Sequence, residues 1–486
     1  MKRKYADDSL ALHTDLYEIN MVQSYWQDGI HNKRAVFDVY FRDMPFGNGY
    51  AIFAGLEKII DYIQNFKFTD DDLAYLRELG YQDDFIEYLK TLRFTGNIRS
   101  VVEGEIVFNH EPLIRVEATL AEAQLIETAL LNIVNYQTLI ATKASRIKQV
   151  VGNEPIAEFG ARRAQEMDAA IWGARAAVIG GCGSTSNVRA GKLFGIPVSG
   201  TMAHAMIQVY HDEYEAFRKY ATVHKDCIFL VDTYDTLKSG VPNAIRVAKE
   251  LGDQINFIGI RIDSGDLTYL SKAARKMLDD AGFPDAKIFA SNDLDELTIL
   301  NLKSQGAQID SWGVGTKLIT AYDQPALGAV YKLVAIEENR QLVDTIKISG
   351  NPEKVTTPGL KRIYRIINKH SWKSEGDYIA LDWENPQEEE PLKMFHPVHT
   401  FISKYVTNFE AKELHQNIFI NGELVYKLPE IQEIKKYVDE NLNLLWDEYK
   451  RILNPEQYPV DLSQACWDNK MANIEKVRQQ VASLKS

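Results

Sequence analysis

The chain has 486 residues, 45% hydrophobic and 25% charged, a composition that excludes wholesale disorder and allows one large core with a second, smaller one. Its formal net charge of -13 excludes a broad basic face for nucleic acid or an anionic membrane, so an anionic ligand must find its cations in a local pocket. Three cysteines without C-x-x-C spacing argue against a disulfide framework, and no apolar run approaches the roughly 20 residues of a membrane span, which together predict a soluble, cytoplasmic protein.

The basic start MKRKYADDS has no apolar run behind it and does not read as a secretory signal. Residues 34–41 (RAVFDVYF), 50–55 (YAIFAG) and 97–108 (NIRSVVEGEIVF) read as strands, separated by a helical and acidic stretch over about 56–92. Residues 119–149 have helical composition without proline or glycine and predict one long helix. From about 155 to 337, eight short apolar runs alternate with helical segments: PIAEFG, AAVIGG, IPVSGT, CIFLVDT, INFIGIRIDSGD, KIFASND, SWGVGTK and YKLVAIE. Nearly uniform apolar runs at this spacing suit parallel strands buried on both faces. The expected fold is therefore α/β, an irregular (β/α)8-like barrel with an α+β N-terminal domain. The tail LPEIQEIKKYVDENLNLLWDEYKRIL carries apolar residues at helical spacing and predicts a C-terminal helical extension packed on the N-terminal domain. The implied domains are 1–118, 119–340 and 341–486.

Polar residues follow nearly every apolar run, and in a barrel such strand ends converge on one mouth. EFGARRA offers Phe159 to stack on a flat ring and Arg162 to bind an anion, or equally a core phenylalanine with surface arginines. VIGGCGSTSNVRAGKLFG matches neither G-x-G-x-x-G nor G-x-x-x-x-G-K-[ST], and Ser186 or Asn187 would cap the next helix. In FGIPVSGTMAHAMIQVY a strand-like run meets a helix-like one at His204, which is a satisfied structural histidine or a reactive one.

Alternation in IGIRIDSGDL places Arg261 and Asp263 on one strand face. An ion pair between them would be structural, but Ser264 and Asp266 also suit sugar hydroxyls or a hydrated Mg²⁺. FASNDLDE adds Asn292 and Asp293, while Gly313, Gly315 and Thr316 in WGVGTKL suit a phosphate cradle or a tight turn. The HPVHT pair, His396 and His399, has no third residue at metal-ligand spacing.

The ordered set TDLYEINM, FDVYFRDMPFGNGYAIFAGL, EFGARRA, GGCGSTSNVRAGKLFGIPVSGTMAHA, DTYDT, GIRIDSGDL, ASNDLDE and GVGTKL resembles the nicotinate phosphoribosyltransferase family through most of the chain, and its tail resembles the long bacterial branch. The resemblance implies a type II phosphoribosyltransferase-like fold and the joining of nicotinate to 5-phosphoribosyl 1-diphosphate, coupled to ATP hydrolysis, in NAD salvage. It also implies ATP as co-substrate, Mg²⁺ on the diphosphate or ATP, and a homodimer with shared active sites. Carried onto this sequence, Tyr17 from the neighbouring subunit and Phe159 sandwich the pyridine ring. Arg261 and Thr201 bind nicotinate, Arg162 serves the ring pocket or phosphate, and Asp263 faces the ribose. Gly315 and Thr316 hold the 5-phosphate, Ser264, Asn292 and Asp293 complete the substrate set, and His204 is the phosphohistidine. Ala205 stands where many members have serine, so any role of that hydroxyl is absent here. Metal ligands are not assigned. The nearest rival is a nicotinamide-specific enzyme of the same fold; quinolinate enzymes are shorter and need more basic residues, and a non-catalytic phosphate-binding barrel is the rival of a different class.

Overall fold

The computed structural model describes residues 9–351 and 354–483. The chain divides into two compact units, the first made of the described parts of residues 1–138 and 326–486 and the second of Leu139–Pro325.

In the first unit a seven-stranded sheet runs in the order Gln341–Asp344, Ala329–Glu338, Arg34–Phe41, Ile114–Thr119, Asn97–Ser100, Gln416–Ile420, Glu423–Leu424. All its ladders are antiparallel. RAVFDVYF is central because every residue after Arg34 is buried, with Val39 opposite both Tyr331 and Ile114. A second sheet orders Phe409–Glu413, Lys361–Asn368, Ser374–Leu381 and Val460–Leu462. Its apolar face gathers Tyr364, Ile366, Tyr378, Leu392, Met394 and Phe409 into one cluster.

A fully buried guanidinium, Arg365, sits in this unit among acids. It donates from Nε and Nη2 to the two oxygens of Asp377 at 2.9 and 2.7 Å, from Nη1 to Glu105 at 2.6 Å, and to the Ile106 carbonyl at 2.6 Å. Tyr458 donates to the same Asp377 at 2.8 Å. Burial alone would raise the Glu105 carboxyl, but Arg365, Lys412 and Tyr437 hold it below the ordinary range. Glu111 goes the other way: burial, then the Asp377 charge, push it well up.

Several expectations for this unit are corrected. The run YAIFAG contributes only Ala51–Ile52 to a two-stranded ladder, and the stretch 97–108 splits into Asn97–Ser100 and Ile106–Val107. The long helix is two, Leu120–Leu125 and Glu127–Val151. After residue 341 strands accompany the helices Ile431–Leu444 and Gln464–Ser483, so the extension carries sheet as well as helix. Its helical signal came from one amphipathic segment, in which Ile431, Ile434 and Val438 are buried at intervals of about a helical turn.

The second unit is an α/β half-barrel. Its six parallel strands are ordered Ser184–Thr185, Ile156–Glu158, Ser311–Val314, Lys287–Ser291, Asn256–Ile262, Asp226–Leu230. Of the eight apolar runs, PIAEFG, CIFLVDT, INFIGIRIDSGD, KIFASND and SWGVGTK are strands here. AAVIGG instead ends the helix Glu166–Ile179, since an apolar run fits a buried helix as well as a strand. In IPVSGT the proline lacks an N–H, and the run makes only an isolated bridge between Val198 and Thr185. YKLVAIE lies in the antiparallel sheet of the first unit. The helix Val241–Leu251 buries Val241, Ala244, Val247 and Ala248, one stripe of an amphipathic surface. Its approach is close: a Cβ on Gly240 would lie 1.8 Å from the Val231 carbonyl oxygen, so this helix start presses on the end of the strand Asp226–Leu230.

Candidate active site

Parallel pairing aligns the strand ends of the second unit. Arg261 lies beside Leu230 on one side and Phe289 on the other, and Gly313 lies between Ser291 and Ala157. The residues just past these partners are the polar ones, so the ladder collects them at one edge.

Arg261 is held as a fork. Nη1 donates to Thr201 Oγ1 at 2.9 Å and Nη2 to the Met202 carbonyl at 2.9 Å, while Nε is buried without a hydrogen-bond partner. Burial lowers its pKa, Asp263 and Asp232 oppose that, and Arg162 adds to it. A guanidinium fixed in this way is pre-organised for a planar carboxylate or a phosphate.

His204 opens the helix His204–Tyr210. Its Nδ1 shares a hydrogen bond with Thr233 Oγ1 at 3.0 Å, and its Nε2 stands 3.8 Å from Asp263 Oδ2. Ser291 donates to Asp263 Oδ1. Asp232 Oδ2 accepts from the Asp263 N–H at 3.0 Å and from Ser264 Oγ at 2.6 Å, leaving its Oδ1 buried and without a partner. Histidine, two carboxylates and a guanidinium therefore share one cluster whose side chains are fixed from behind.

Phe159 packs beside Gly313. A Cβ at position 313 would come within 2.7 Å of two Phe159 ring atoms and 3.2 Å of Ser291. Below the ring, Glu158 is fully buried; burial raises its pKa, while the Thr185 hydroxyl and the Gly160 N–H oppose the shift. Gly315 adjoins the Phe159 carbonyl, and Thr316 starts the four-residue helix Thr316–Ile319.

The structure thus brings together Thr201, His204, Arg261, Asp263 and Ser264, with Phe159, Gly315 and Thr316 on the neighbouring strand ends. Arg162 is exposed and reaches Arg261 only through charge. Asn292 and Asp293 are exposed after the strand Lys287–Ser291, at φ of 148° and 26°. Such backbone is costly for residues other than glycine and gathers at functional sites. Tyr17 lies in the first unit and is 48% exposed.

Sequence reasoning missed Asp232, Thr233 and Ser291. The signal was present: Asp232 follows the buried CIFLV run as Asp263 follows IGIRI. His396 and His399 have ring centroids 4.9 Å apart, and His396 Nδ1 accepts the backbone N–H of Val398 and of His399, a local turn. Among the described residues no group of three or more His, Cys, Asp and Glu is arranged to hold a metal, and no helix is long and apolar enough to cross a membrane. Cys182, Cys227 and Cys466 are buried free thiols. A cavity of about 710 Å³ lined by Asp38, Tyr40, Lys361, Tyr458, His396 and His399 contains none of the residues assigned to substrate or phosphate.

The half-barrel and its cluster define an α/β fold with a candidate site at the C-terminal ends of parallel strands. Three family models match in succession: the nicotinate phosphoribosyltransferase N-terminal domain over residues 12–135, the nicotinate phosphoribosyltransferase family over 155–364, and its C-terminal domain over 360–470. Nicotinate phosphoribosyltransferase of Bacillus subtilis strain 168 is 70% identical over 478 residues, 98% of each chain. Among solved structures, human nicotinic acid phosphoribosyltransferase superposes with a TM-score of 0.84 at 28% identity, covering 94% of this chain and 99% of that one. Nicotinate-nucleotide pyrophosphorylase of Pyrococcus furiosus gives 0.70 at 25% identity, covering 91% and 99%. The chain belongs to the nicotinate phosphoribosyltransferase family.

Proposed function

We propose that this chain joins nicotinate to 5-phosphoribosyl 1-diphosphate, forming nicotinate mononucleotide and diphosphate, and couples the reaction to ATP hydrolysis in NAD salvage. The observation that carries the reading is Arg261, forked between Thr201 and Met202 with one N–H unpaired, ready for the nicotinate carboxylate. Phe159 stacks on the ring, with Tyr17 of a second copy on its other face. Gly315 and Thr316 bind the 5-phosphate, and Asp263 with Ser264 faces the ribose. Arg162, Asn292 and Asp293 line the outer part of the site, where exposure lets them meet the diphosphate end.

In the transfer the pyridine nitrogen forms its bond to the anomeric carbon while the bond from that carbon to diphosphate breaks. Positive charge develops on the sugar, and Asp263 beside it stabilises that charge. The buried, unpaired Oδ1 of Asp232 fits a cation, so Asp232 and Asp263 are the residues that would hold a hydrated Mg²⁺. Mg²⁺ supplies charge neutralisation on the leaving diphosphate. His204 accepts the γ-phosphoryl group of ATP, releasing ADP, and water later cleaves the phosphohistidine to inorganic phosphate.

An assay with nicotinate and phosphoribosyl diphosphate, with and without ATP, following mononucleotide and ADP together, tests substrate and coupling at once; turnover of nicotinamide in preference to nicotinate overturns the assignment. His204→Ala is expected to abolish acid-labile labelling by ATP radiolabelled in its γ-phosphate while keeping some ATP-independent turnover, and persistent labelling removes His204 from this role. Gly313→Ala should push the Phe159 ring aside and raise nicotinate KM by about tenfold with phosphoribosyl diphosphate KM within about twofold, since small misplacements are costly at a reacting centre. Equal changes in both KM values would mean that Phe159 does not serve the ring.

A further inference from the structure

Two turns of the second unit carry the ends of the proposed substrate, and one buried carboxylate joins them. The paired register of the strands Lys287–Ser291 and Ser311–Val314 ends at Ser291 and Gly313. Beyond it, the 292–293 turn and the 315–316 turn depend on side chains for their spacing. Asp295 is buried just after the first turn, and its Oδ1 accepts the Thr298 N–H at 2.7 Å, capping the helix Glu296–Ser304. Its Oδ2 accepts from Lys317 Nζ at 2.9 Å and from the Tyr322 hydroxyl at 3.2 Å, both of which follow the second turn. Glu296, the next residue, accepts from Arg146 Nε at 2.8 Å and from Lys143 Nζ at 3.0 Å, and Lys143 also donates to Asp323 at 2.8 Å. Both ammonium groups approach the Tyr322 ring, Lys143 Nζ at 5.3 Å and Lys317 Nζ at 5.1 Å from its centroid. Lys317, Tyr322 and Asp323 are thus drawn onto one buried rack of charges.

We propose that the ion pair of Asp295 with Lys317 is a tether that fixes the distance between the 292–293 and 315–316 turns, and so sets how tightly phosphoribosyl diphosphate is held at its two ends. The inference rests on the placing of the 5-phosphate at Gly315 and Thr316, and of the diphosphate end at Asn292 and Asp293, under the proposed function. Asp295 and Lys317 are both positioning residues, acting through the turns they join.

The tether is stiff at both ends. Asp295 Oδ1 is committed to the helix cap, and Glu296 beside it is fixed by two cations, so the carboxylate has little freedom to follow a moving partner. Leu294, between Asp295 and the first turn, is buried as well. Asn292 and Asp293 hold φ of 148° and 26°, a strained backbone that persists only where its surroundings over-determine it. At the other end, Leu318 and Ile319 are buried and their N–H groups return to the Gly315 carbonyl at 3.2 and 3.0 Å, so a pull on Lys317 is passed to the turn that holds the 5-phosphate. Burial raises the Asp295 carboxyl, but Thr298 and Lys317 outweigh it and hold it down at about 2, while Asp295 raises Lys317 against the effect of burial. The bond is therefore ionic at any working pH.

In the full-length protein, Lys317→Met and Asp295→Asn should each raise KM for phosphoribosyl diphosphate about tenfold, with nicotinate KM within about twofold and kcat within about threefold of wild type. Asparagine still caps the helix, so Asp295→Asn removes the ion pair and little else. The double variant should be no worse than either single one, because both remove the same bond; a product of the two effects, about 100-fold, overturns the tether. Lys317→Arg, whose charge can still pair with Asp295, should bring KM back to within about threefold of wild type. A raised KM in Lys317→Met beside an unaltered KM in Asp295→Asn also overturns the proposal, since Lys317 would then meet the phosphate itself. Hydrogen exchange separates the tether from the substrate assignment: the Leu318 and Ile319 amides should exchange about tenfold faster in either single variant, so one suffices if the other does not fold, and unaltered exchange overturns the tether. Thr316→Val with an unaltered KM for phosphoribosyl diphosphate overturns instead the placing of the 5-phosphate, and the exchange rates then still decide whether Asp295 and Lys317 hold the turn.

Discussion

Arg261→Ala is expected to lower kcat/KM for nicotinate by about 100- to 1000-fold, about 3–4 kcal/mol, the usual cost of removing one partner from a desolvated charge pair. The loss has two parts. The nicotinate carboxylate loses its fork, and Thr201 Oγ1 and the Met202 carbonyl lose their donors at 2.9 Å, so the loop leading into His204 is less firmly held. The parts separate in measurement. Arg261→Lys restores charge without the planar fork, and should recover ATP-dependent labelling of His204 while leaving nicotinate KM high. An unaltered nicotinate KM and kcat in Arg261→Ala would show that the carboxylate binds elsewhere.

Arg365→Met is expected to be the most destabilising single change in the first unit, by about 3–5 kcal/mol, because it leaves buried acids without their cation. Asp377 and Glu105 both depend on Arg365, and among the described residues Lys412 is the one other cation paired with Glu105, at 3.5 Å. In the wild type Glu105 is held below its unfolded pKa, so its contribution is present above that pKa and lost as pH falls. In the variant Glu105 loses its chief cation, its folded pKa rises, and stability falls as pH rises. The gap between wild type and variant in urea midpoint should therefore widen from about pH 4 to pH 7. A gap independent of pH would mean that lost packing, and not charge, sets the cost.

Much of the second unit was legible from its sequence because its strands are short apolar runs closed by polar residues. INFIGIRIDSGD shows the strand and its face alternation in one segment, and the candidate residues Arg261, Asp263 and Ser264 cluster at its end. Apolarity without periodicity misled at AAVIGG, which is helix, and at YKLVAIE, whose partners in RAVFDVYF lie about 300 residues earlier and leave no local trace. The C-terminal sheet was unreadable for a related reason. Its strands alternate charged with apolar residues, as in KRIYRIIN, and one of the charged side chains, Arg365, points into the core where its acids come from distant segments. The site was incomplete at Asp232 and Thr233 because a single apolar-then-acid junction is common, and only the ladder beside Arg261 shows what it faces.

The seven-stranded sheet also sets an order of events for a chain emerging from the ribosome. Its strand Arg34–Phe41 is made early, yet that strand's partner Ala329–Glu338, and the partner Gln416–Ile420 of Asn97–Ser100, arrive only after all of Leu139–Pro325 has been synthesised. The early strands Arg34–Phe41 and Asn97–Ser100 must each wait with an unpaired edge, the kind of surface on which nascent chains aggregate. The half-barrel, contiguous in sequence, completes its own ladder by Val314 and meets no such delay. Nascent-chain quality control should thus bear on the first unit, while the parallel strands of the second are already assembled.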